Sequence, residues 1–398
     1  MSITVCLSPM KTLNYPQGGG NLWVFLNWAL GLRALGCEVI WLETISNRES
    51  TRALRRRLER AGLAESPDEP VREVQTNVAT LKRRLERFGL AGRLALYPTD
   101  GEVLPDEVTN GCLDLEAASE ADLLFNLRYD LPGEVVERFR RSALLDIDPG
   151  LLQIWLSAGS IKVAPHDMYF TIGETVGRQG AGFPDGGLKW HYTPPPVYLP
   201  EWPAVQADAM APFTTVAHWW AGGWMEFQGE YRDNTKRTAF LEYVDLPSRT
   251  SAPLELALCL APKDQEEKRL LERRGWKVRH AWDVSSEPED YRAYVQRSRG
   301  EFSCVKPSCV WLSNAWISDR TLCYLASAKP AVVQHTGPSR FLPDSEGLIR
   351  FRSLEEAARA LSAVQSDYER HSRLARELAE EHFDAQRVVG GVLERALA

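Results

Sequence analysis

Short strand-like runs alternate with helical segments along almost the whole chain, and this alternation constrains the fold more than any other feature. The first instance joins the apolar run Ile3–Leu7, a helical pattern from Asn21 and a second apolar run, Val39–Leu42. A strand, a helix and a strand in this order need a crossover, so the two strands are predicted to be parallel. Further strand-like runs follow at 94–97, 123–127 and 143–147, with a helical segment at 132–140. The pattern predicts a doubly wound α/β domain.

A second alternating half follows a segment rich in proline and glycine, residues 180–212, which is the best linker candidate. Strands are predicted at 215–219, 254–260, 278–281, 302–306 and 331–334, and helices at 236–244, 264–274, 318–326, 353–366, 368–382 and 385–397. We therefore predict two doubly wound α/β domains, residues 1–205 and 206–380, followed by a terminal helix over 381–398. Two such halves imply one deep cleft between them, the usual place for a ligand.

Composition excludes several classes of protein. The 398 residues include 47 Lys and Arg against 54 Asp and Glu, a mild acidic excess that gives no general attraction to nucleic acid or anionic lipid. No apolar run reaches the roughly 18 residues of a membrane span, and the first residues lack the zones of a signal peptide. The closest cysteines, Cys304 and Cys309, fit no zinc or redox motif. We expect a cytoplasmic protein with reduced thiols, no metal, no membrane span and no nucleic-acid partner.

The sequence of residues 51–90 predicts two helical stretches that are rich in Arg and Leu. The basic clusters at 55–57 and 82–84 suggest either a phosphate-binding face or a solvated helix face with interleaved acids.

The run Gly18-Gly19-Gly20-Asn21 opens the first predicted helix. Glycines allow close backbone approach, and the N–H groups of a helix N-terminus attract oxyanions. The spacing is not G-x-G-x-x-G, because Leu22 and Trp23 fill the positions where a dinucleotide needs room, although Glu43 stands where a ribose-binding acid would. Three interpretations stay open: the acceptor side of a cleft, a dinucleotide site, or a tight structural turn.

Two segments in the second half carry phosphate-binding chemistry at predicted strand ends. In the first, Ser318 or Asp319 can cap the following helix, and Arg320 stands beside its free N–H groups. The second, residues 334–340, follows the carboxyl end of a strand, where ligands of open α/β sheets bind. The alternatives are a helix cap with a surface arginine and a plain strand–loop turn.

These segments resemble the carboxyl-terminal donor domain of GT-B glycosyltransferases. The similarity rests on Ser318-Asp319-Arg320, Tyr324-Leu325-Ala326-Ser327, Pro330, Thr336-Gly337, Glu346-Gly347-Leu348 and Phe351. Residues 18–23, 36–43 and 146–150 resemble the same bacterial branch, which is related to glycosyltransferase family 4 and the spore-protein-like enzymes. The resemblance implies a GT-B fold of two Rossmann-like domains whose parallel sheets face across a cleft, with the terminal helix 381–398 able to cross back to the first domain. It places a nucleotide-diphosphate sugar on the second domain and an acceptor on the first.

The resemblance also implies roles for individual residues. Ser318, Thr336 and Gly337 would contact phosphates or ribose. Lys306 or Arg320 would supply positive charge, and Glu346 would lie near the nucleoside. Such enzymes usually need no metal or other cofactor, because helix N-termini and basic side chains neutralise the leaving diphosphate.

The sequence departs from the family pattern at two places. Family 4 enzymes carry a Glu-x7-Glu pair, and the matching positions here are Ala315 and Cys323, so Asp319 is the candidate substitute. Related enzymes often have a histidine after the triple glycine, where this chain has Asn21, which cannot act as a general base.

Other residues are candidates for the catalytic base. Asp146 and Asp148 alternate on a predicted strand, which would place both on one face at a strand end. One of them can take a proton from an acceptor hydroxyl, or can cap the next helix. His166 precedes another strand and is the rival base. Among further basic residues, Lys236 and Arg237 begin a predicted helix and are candidates to meet the diphosphate.

The sequence therefore favours a hexosyltransferase that moves a sugar from a nucleotide-diphosphate donor to an acceptor such as a natural product, a lipid or a peptide. A non-catalytic, sugar-nucleotide-binding relative and a nucleotide-sugar epimerase are the alternatives. The acceptor, the nucleotide, the sugar, the stereochemical course and the oligomeric state stay open.

Overall fold

Two parallel sheets with their connecting helices form most of the protein. The computed structural model describes residues 2–46, 69–99 and 104–398. The predicted helix that carries the basic cluster 55–57 therefore lies outside the described residues, and the following helix covers Glu69–Glu86.

The first sheet has seven parallel strands in the order β3-β2-β1-β4-β5-β6-β7. Its strands are β1 (Thr4–Ser8), β2 (Glu38–Ile45), β3 (Leu94–Pro98), β4 (Leu123–Asn126), β5 (Ser142–Asp146), β6 (Met168–Thr171) and β7 (Trp190–Tyr192). The central strands β4 and β5 are buried along their whole length, and β1 is buried after its first residue, as expected for parallel strands covered on both faces. β7 lies inside the segment predicted as a linker and adds an edge strand to this sheet.

The second sheet has six parallel strands in the order β12-β11-β8-β13-β14-β15, and β9 and β10 form a separate antiparallel hairpin. The strands are β8 (Phe213–His218), β9 (Trp224–Phe227), β10 (Glu230–Asp233), β11 (Leu254–Cys259), β12 (Lys277–His280), β13 (Gly300–Ser303), β14 (Ala331–Gln334) and β15 (Leu348–Phe351). We call the parts built on the two sheets the first lobe and the second lobe.

Helices connect most of these strands and end the chain. They are α1 (Gly19–Ala34), α2 (Glu69–Glu86), α3 (Asp106–Thr109), α4 (Leu115–Ser119), α5 (Gly133–Val136), α6 (Leu151–Ser157), α7 (Lys236–Glu242), α8 (Gln265–Arg273), α9 (Trp282–Ser285), α10 (Pro288–Arg297), α11 (Pro307–Trp311), α12 (Asp319–Ala326), α13 (Leu354–Ser366), α14 (Tyr368–His382) and α15 (Ala385–Leu397).

Helix α1 is apolar on all sides because both lobes pack around it. It contacts β2 of its own lobe, α10 of the second lobe and the terminal helix α15. A helix without a polar face is stable only when it is buried all round. Its Gly31 lets α15 approach, since a Cβ at that position would lie 2.8 Å from the Val389 side chain. The terminal helix therefore packs on the first lobe.

One hydrophobic core continues from the first lobe into the second. Trp23 of α1 lies 4.8 Å from Trp202, and Trp202 lies 6.1 Å from Tyr291 of α10, measured between ring centroids. The Trp23 indole also donates a 2.9 Å hydrogen bond to the Pro288 carbonyl. A large apolar contact of this kind opposes the relative motion that weaker domain interfaces allow.

Gly19 is the closest point of this interlobe contact. A Cβ there would lie 2.2 Å from the carbonyl carbon of Glu287, a distance that real Cβ atoms do not adopt. We therefore expect Gly19→Ala to lower the free energy of unfolding by about 1–3 kcal/mol through overpacking. Urea unfolding followed by tryptophan fluorescence measures the change.

Gly391→Ala is the matched control, because a Cβ at this helical position meets nothing within 4 Å. That change should be neutral or stabilising by up to about 1 kcal/mol. Equal stability of the two variants would contradict the packing argument.

Candidate functional site

A cleft with a volume of about 620 Å³ lies between the two lobes. Its walls come from residues that directly follow strands of both sheets. The first lobe contributes residues after β1, β5 and β6, and the second lobe contributes the ends of β8 and β11 and residues after β12 and β13. The charged or polar lining residues include Lys11, Asn14, Tyr15, Gln17, Asn21, Asp148, His218, Lys236, Ser285, Lys306, Ser308, Ser318, Asp319 and Arg320.

Three cationic side chains of the second lobe line one wall of the cleft: Lys236, Lys306 and Arg320. Lys236 is the first residue of α7, after the cap Thr235, whose hydroxyl accepts the Thr238 N–H. Lys306 follows β13 and precedes α11. Positive charge is thus concentrated on one side of the cleft.

Lys236 has no ion-pair partner within the described part of the chain. Burial, followed by the charges of Arg320 and Lys306, lowers the pKa of the Lys236 ammonium to about 7, although Asp319 and Cys309 act in the opposite direction. A half-buried cation beside two others is electrostatically costly. An anion in the cleft would relieve this cost.

The guanidinium group of Arg320 is hydrogen-bonded to residues of its own lobe. Its Nε donates a 2.7 Å hydrogen bond to Glu301, its Nη1 donates to the Val216 carbonyl at 3.1 Å, and its Nη2 donates to Ser303. Burial opposes the charge, but the fully buried Glu301 carboxylate raises the pKa of Arg320. Arg320 is therefore neither a surface arginine nor a free phosphate ligand. Its predicted contact with the donor stays a prediction.

The N-terminus of α12 faces the cleft beside Arg320. Ser318 is the cap, and its hydroxyl accepts the Arg320 N–H at 3.3 Å. Ser318 and Asp319 both line the cleft. Burial raises the pKa of the Asp319 carboxyl. The structure thus brings Lys306, Ser318, Asp319 and Arg320 together at one cleft, and their predicted contacts with a donor stay predictions.

Asp148 reaches the same cleft from the first lobe. Its carboxylate accepts a 3.2 Å hydrogen bond from the Lys306 ammonium, so the pair joins the two lobes. Strand β5 ends at Asp146, so the expectation that Asp146 and Asp148 share one strand face is wrong. Asp146 is buried and accepts hydrogen bonds from Gln153 and Thr171, and burial raises the pKa of its carboxyl to about 6.

His166, the rival base, is not part of the cleft wall. Its Nδ1 lies 2.7 Å from the Ala164 carbonyl, and its Nε2 lies 3.1 Å from the Asn126 amide nitrogen. Burial lowers the pKa of the imidazole. With both ring nitrogens bonded, His166 has a structural role here, whereas Asp148 lines the cleft.

Thr336, Gly337 and Glu346 also lie outside the cleft wall. The Thr336 hydroxyl donates to the Trp316 carbonyl at 2.6 Å. Gly337 has a φ of +118° and packs so closely that a Cβ would lie 2.6 Å from the Ser313 carbonyl oxygen. The Glu346 carboxylate is exposed and pairs with Arg370 at 2.7 Å. Their predicted contacts with phosphate, ribose or nucleoside stay predictions.

The triple glycine serves two surfaces. Gly18, Gly20 and Asn21 line the cleft, while Gly19 faces the second lobe. A Cβ at Gly20 would also lie 2.8 Å from the Tyr291 ring of that lobe. The run therefore permits close approach of the two lobes, in addition to lining the first-lobe side of the cleft.

Sequence reasoning missed a second contact across the cleft. The Tyr15 hydroxyl is hydrogen-bonded to Nε2 of His218, and the two rings lie 5.7 Å apart. Tyr15 precedes the glycines in a loop without regular structure, and no local pattern singles it out. The position of His218 at the end of a strand is a general signal for a cleft residue.

The described residues hold neither a metal-binding cluster nor a membrane-spanning helix. No group of three or more His, Cys, Asp or Glu side chains is placed to hold a metal ion. Among the helices of the described ranges, none has the length and apolar character needed to cross a membrane.

The protein has the GT-B fold: two Rossmann-like lobes with parallel sheets and a cleft between them. Its similarity to solved glycosyltransferase structures extends over the whole chain, whereas comparison with protein-family models and with curated proteins found no match.

Three solved structures illustrate the similarity. An alpha-glucosyltransferase in complex with UDP-glucose and abasic-site DNA has 10% identity and a TM-score of 0.55 over 100% of each chain. Sucrose-phosphate synthase from Thermosynechococcus elongatus has 10% identity and a TM-score of 0.53 over 99% of each chain. Anabaena HepE in complex with UDP and glucose has 11% identity and a TM-score of 0.53 over 99% of each chain. At this identity the similarity shows the fold alone.

Proposed function

We propose that this protein is a glycosyltransferase that uses a nucleoside diphosphate sugar as its donor, with UDP as the first nucleotide to test. The observation that carries the proposal is the position of Lys236 in the cationic wall of the cleft, where no described residue forms an ion pair with it. UDP is the nucleotide named for two of the structurally similar proteins. A volume of about 620 Å³ is within the usual range for small-molecule sites.

In this proposal the second lobe holds the diphosphate. Lys236 and Lys306 face the phosphate oxygens together with the N-terminus of α12, and their charges stabilise the negative charge that develops on the leaving group. These groups take the place of a metal ion. Asp148, on the opposite lobe, accepts the proton of the acceptor hydroxyl. The acceptor itself is a natural product, a lipid or a peptide.

A calorimetric titration with UDP, followed by chromatographic detection of UDP released from UDP-glucose, tests the proposal. One UDP bound per chain and release of UDP support a glycosyltransferase. Binding without release, in the presence of a panel of acceptors, supports the non-catalytic alternative, which the Ala315 and Cys323 positions favour because neither carries a carboxylate. Failure to bind UDP, ADP, GDP or dTDP would overturn the proposal.

The affinity for UDP should depend on pH because Lys236 must be protonated to hold a phosphate. Burial, followed by the charges of Arg320 and Lys306, lowers its pKa to about 7, and a bound anion raises that pKa. Binding then takes up a proton, so the affinity falls as pH rises above about 7, by at most about tenfold per pH unit. Below about pH 6 the affinity also falls, because the terminal phosphate itself becomes protonated.

Calorimetry at pH 7.5 in two buffers with different ionisation enthalpies measures this proton uptake. An apparent binding enthalpy that is the same in both buffers would contradict the role of Lys236.

A further inference from the structure

We propose that Lys306 exchanges partners during the reaction: the ion pair with Asp148 gives way to one with the donor diphosphate, which thereby releases Asp148 to act as the base. The donor must then bind before the acceptor can be deprotonated. This inference rests on the proposed function.

The pair spans the cleft between the two lobes. Asp148 belongs to the turn after β5 and Lys306 to the segment after β13, and both line the cleft. Their side chains retain 30% and 26% of their exposure, so an incoming ligand can reach both. Burial opposes the charge of Lys306, but Asp148 raises the pKa of the ammonium, so the lysine is held as a cation.

The Asp148 carboxylate makes no hydrogen bond to a described residue of its own lobe. Within the described ranges Lys306 is the hydrogen-bond partner of its carboxylate. The next helix, α6, is capped at Gly150, and Gln153 of that helix bonds to the buried Asp146 instead. The alternative that Asp148 caps the helix is therefore not what the structure shows. A carboxylate with a single, movable partner is free to change its role.

The charges of the wall make the exchange necessary. Arg320 is held by Glu301, and Lys236 alone cannot neutralise a diphosphate, which carries more than one negative charge. Lys306 is the remaining cation of this wall, and its ammonium group is paired with Asp148. A phosphate oxygen and the Asp148 carboxylate therefore compete for the same ammonium group.

Once released, Asp148 can complete the chemical step. The acceptor hydroxyl gives its proton to the Asp148 carboxylate while its oxygen forms the bond to the anomeric carbon. The bond from that carbon to the phosphate oxygen breaks, and its electron pair leaves with the diphosphate, facing Lys236 and Lys306. After the nucleotide departs, Asp148 loses the proton to solvent and pairs with Lys306 again.

The exchange is tested by whether the loss of the Asp148 charge strengthens or weakens UDP binding. Asp148→Asn removes the competitor for Lys306, so UDP should bind about five- to tenfold more tightly. Turnover of UDP-glucose should fall by about a hundredfold or more, because the base is lost. Lys306→Met should weaken UDP binding by about tenfold. Calorimetry gives the affinities, and a UDP-release assay gives the turnover.

Two comparisons separate the exchange from other effects of charge. Asp344→Asn removes a fully exposed carboxylate of the second lobe and should leave UDP affinity unchanged. Asp148→Asn is also made in the Lys306→Met variant. There it should improve the free energy of UDP binding by less than half as much as it does in the unmodified protein, because the lysine for which Asp148 competes is absent.

The outcomes distinguish this inference from the proposed function. If the unmodified protein binds no UDP, both are overturned. If it binds UDP, but Asp148→Asn leaves the affinity unchanged or weakens it, the exchange is overturned while the donor site stands. The same conclusion follows if the gain is equal with and without Lys306.

Discussion

Replacing Lys236 by methionine is expected to weaken UDP binding by about 10- to 100-fold while the free energy of unfolding stays constant or increases. The ammonium supplies a charge-assisted hydrogen bond to phosphate, and loss of such a bond costs about 1.5–3 kcal/mol. No residue in the described ranges forms an ion pair with this side chain, and burial, followed by the charges of Arg320 and Lys306, lowers its pKa to about 7. Its removal therefore takes away a binding group without taking away a stabilising contact.

The pH dependence of folding follows from the same lowered pKa. The pKa of an unfolded lysine is about 10.4, so protons favour the unfolded state at any pH below that value. The protein containing Lys236 should lose stability relative to Lys236→Met as pH falls from about 10 towards 7. Below pH 7 the difference should stay constant, because the lysine is then protonated in both states.

Arg237→Met is the control for this prediction. Arg237 is the next residue of α7, but it pairs with Glu267 at 2.8 Å and stacks on Trp220, outside the cleft wall. Its loss should reduce stability slightly and leave UDP affinity unchanged. Calorimetry and urea unfolding on both variants measure the two effects. A Lys236→Met variant that binds UDP like the unmodified protein would contradict the assigned site.

Arg320→Ala is expected to cause the largest loss of stability, about 3–5 kcal/mol. The substitution leaves the carboxylate of Glu301, which is fully buried, without its cation. It also leaves the Val216 carbonyl and the Ser303 hydroxyl without a donor. Removal of one member of a buried ion pair costs more than the net contribution of the pair, because the other charge stays desolvated.

The double variant Arg320→Met and Glu301→Gln is the informative comparison, because it removes both charges and keeps most of the volume. It should recover at least half of the lost stability, as measured by the shift of the urea midpoint. If the single and double variants unfold at the same urea concentration, the ion pair is not the cause. A loss below about 1 kcal/mol for Arg320→Ala would show that the arginine is not held as the structure has it.

More of the fold than of the site could be predicted from the sequence. Parallel sheets and a cleft at their carboxyl ends follow from the alternation of apolar strands and helices, because crossover connections and buried strands leave few topologies. Asp148, Ser318 and Asp319 lie at strand or helix ends that a local pattern marks, and each lines the cleft. The hairpin β9–β10 and the edge strand β7 have no comparable periodicity.

Long-range contacts account for the remaining differences. Arg320 follows a helix cap, which suggests a phosphate ligand, but its guanidinium group pairs with Glu301 of a neighbouring strand. His166 precedes a strand, which suggests a base, but Asn126 and the Ala164 carbonyl occupy its ring nitrogens. Gly19 belongs to a run that suggests phosphate binding, but it faces Glu287 of the other lobe. These partners are remote in sequence or bond through the backbone, so local spacing does not reveal them.

A crystal structure of the protein soaked with UDP tests the central claim most directly. The account predicts density for the diphosphate in the cleft between the lobes, with phosphate oxygens within hydrogen-bond distance of the ammonium groups of Lys236 and Lys306. Density for the nucleotide at another surface, or a cleft that holds only solvent at saturating UDP, would contradict it.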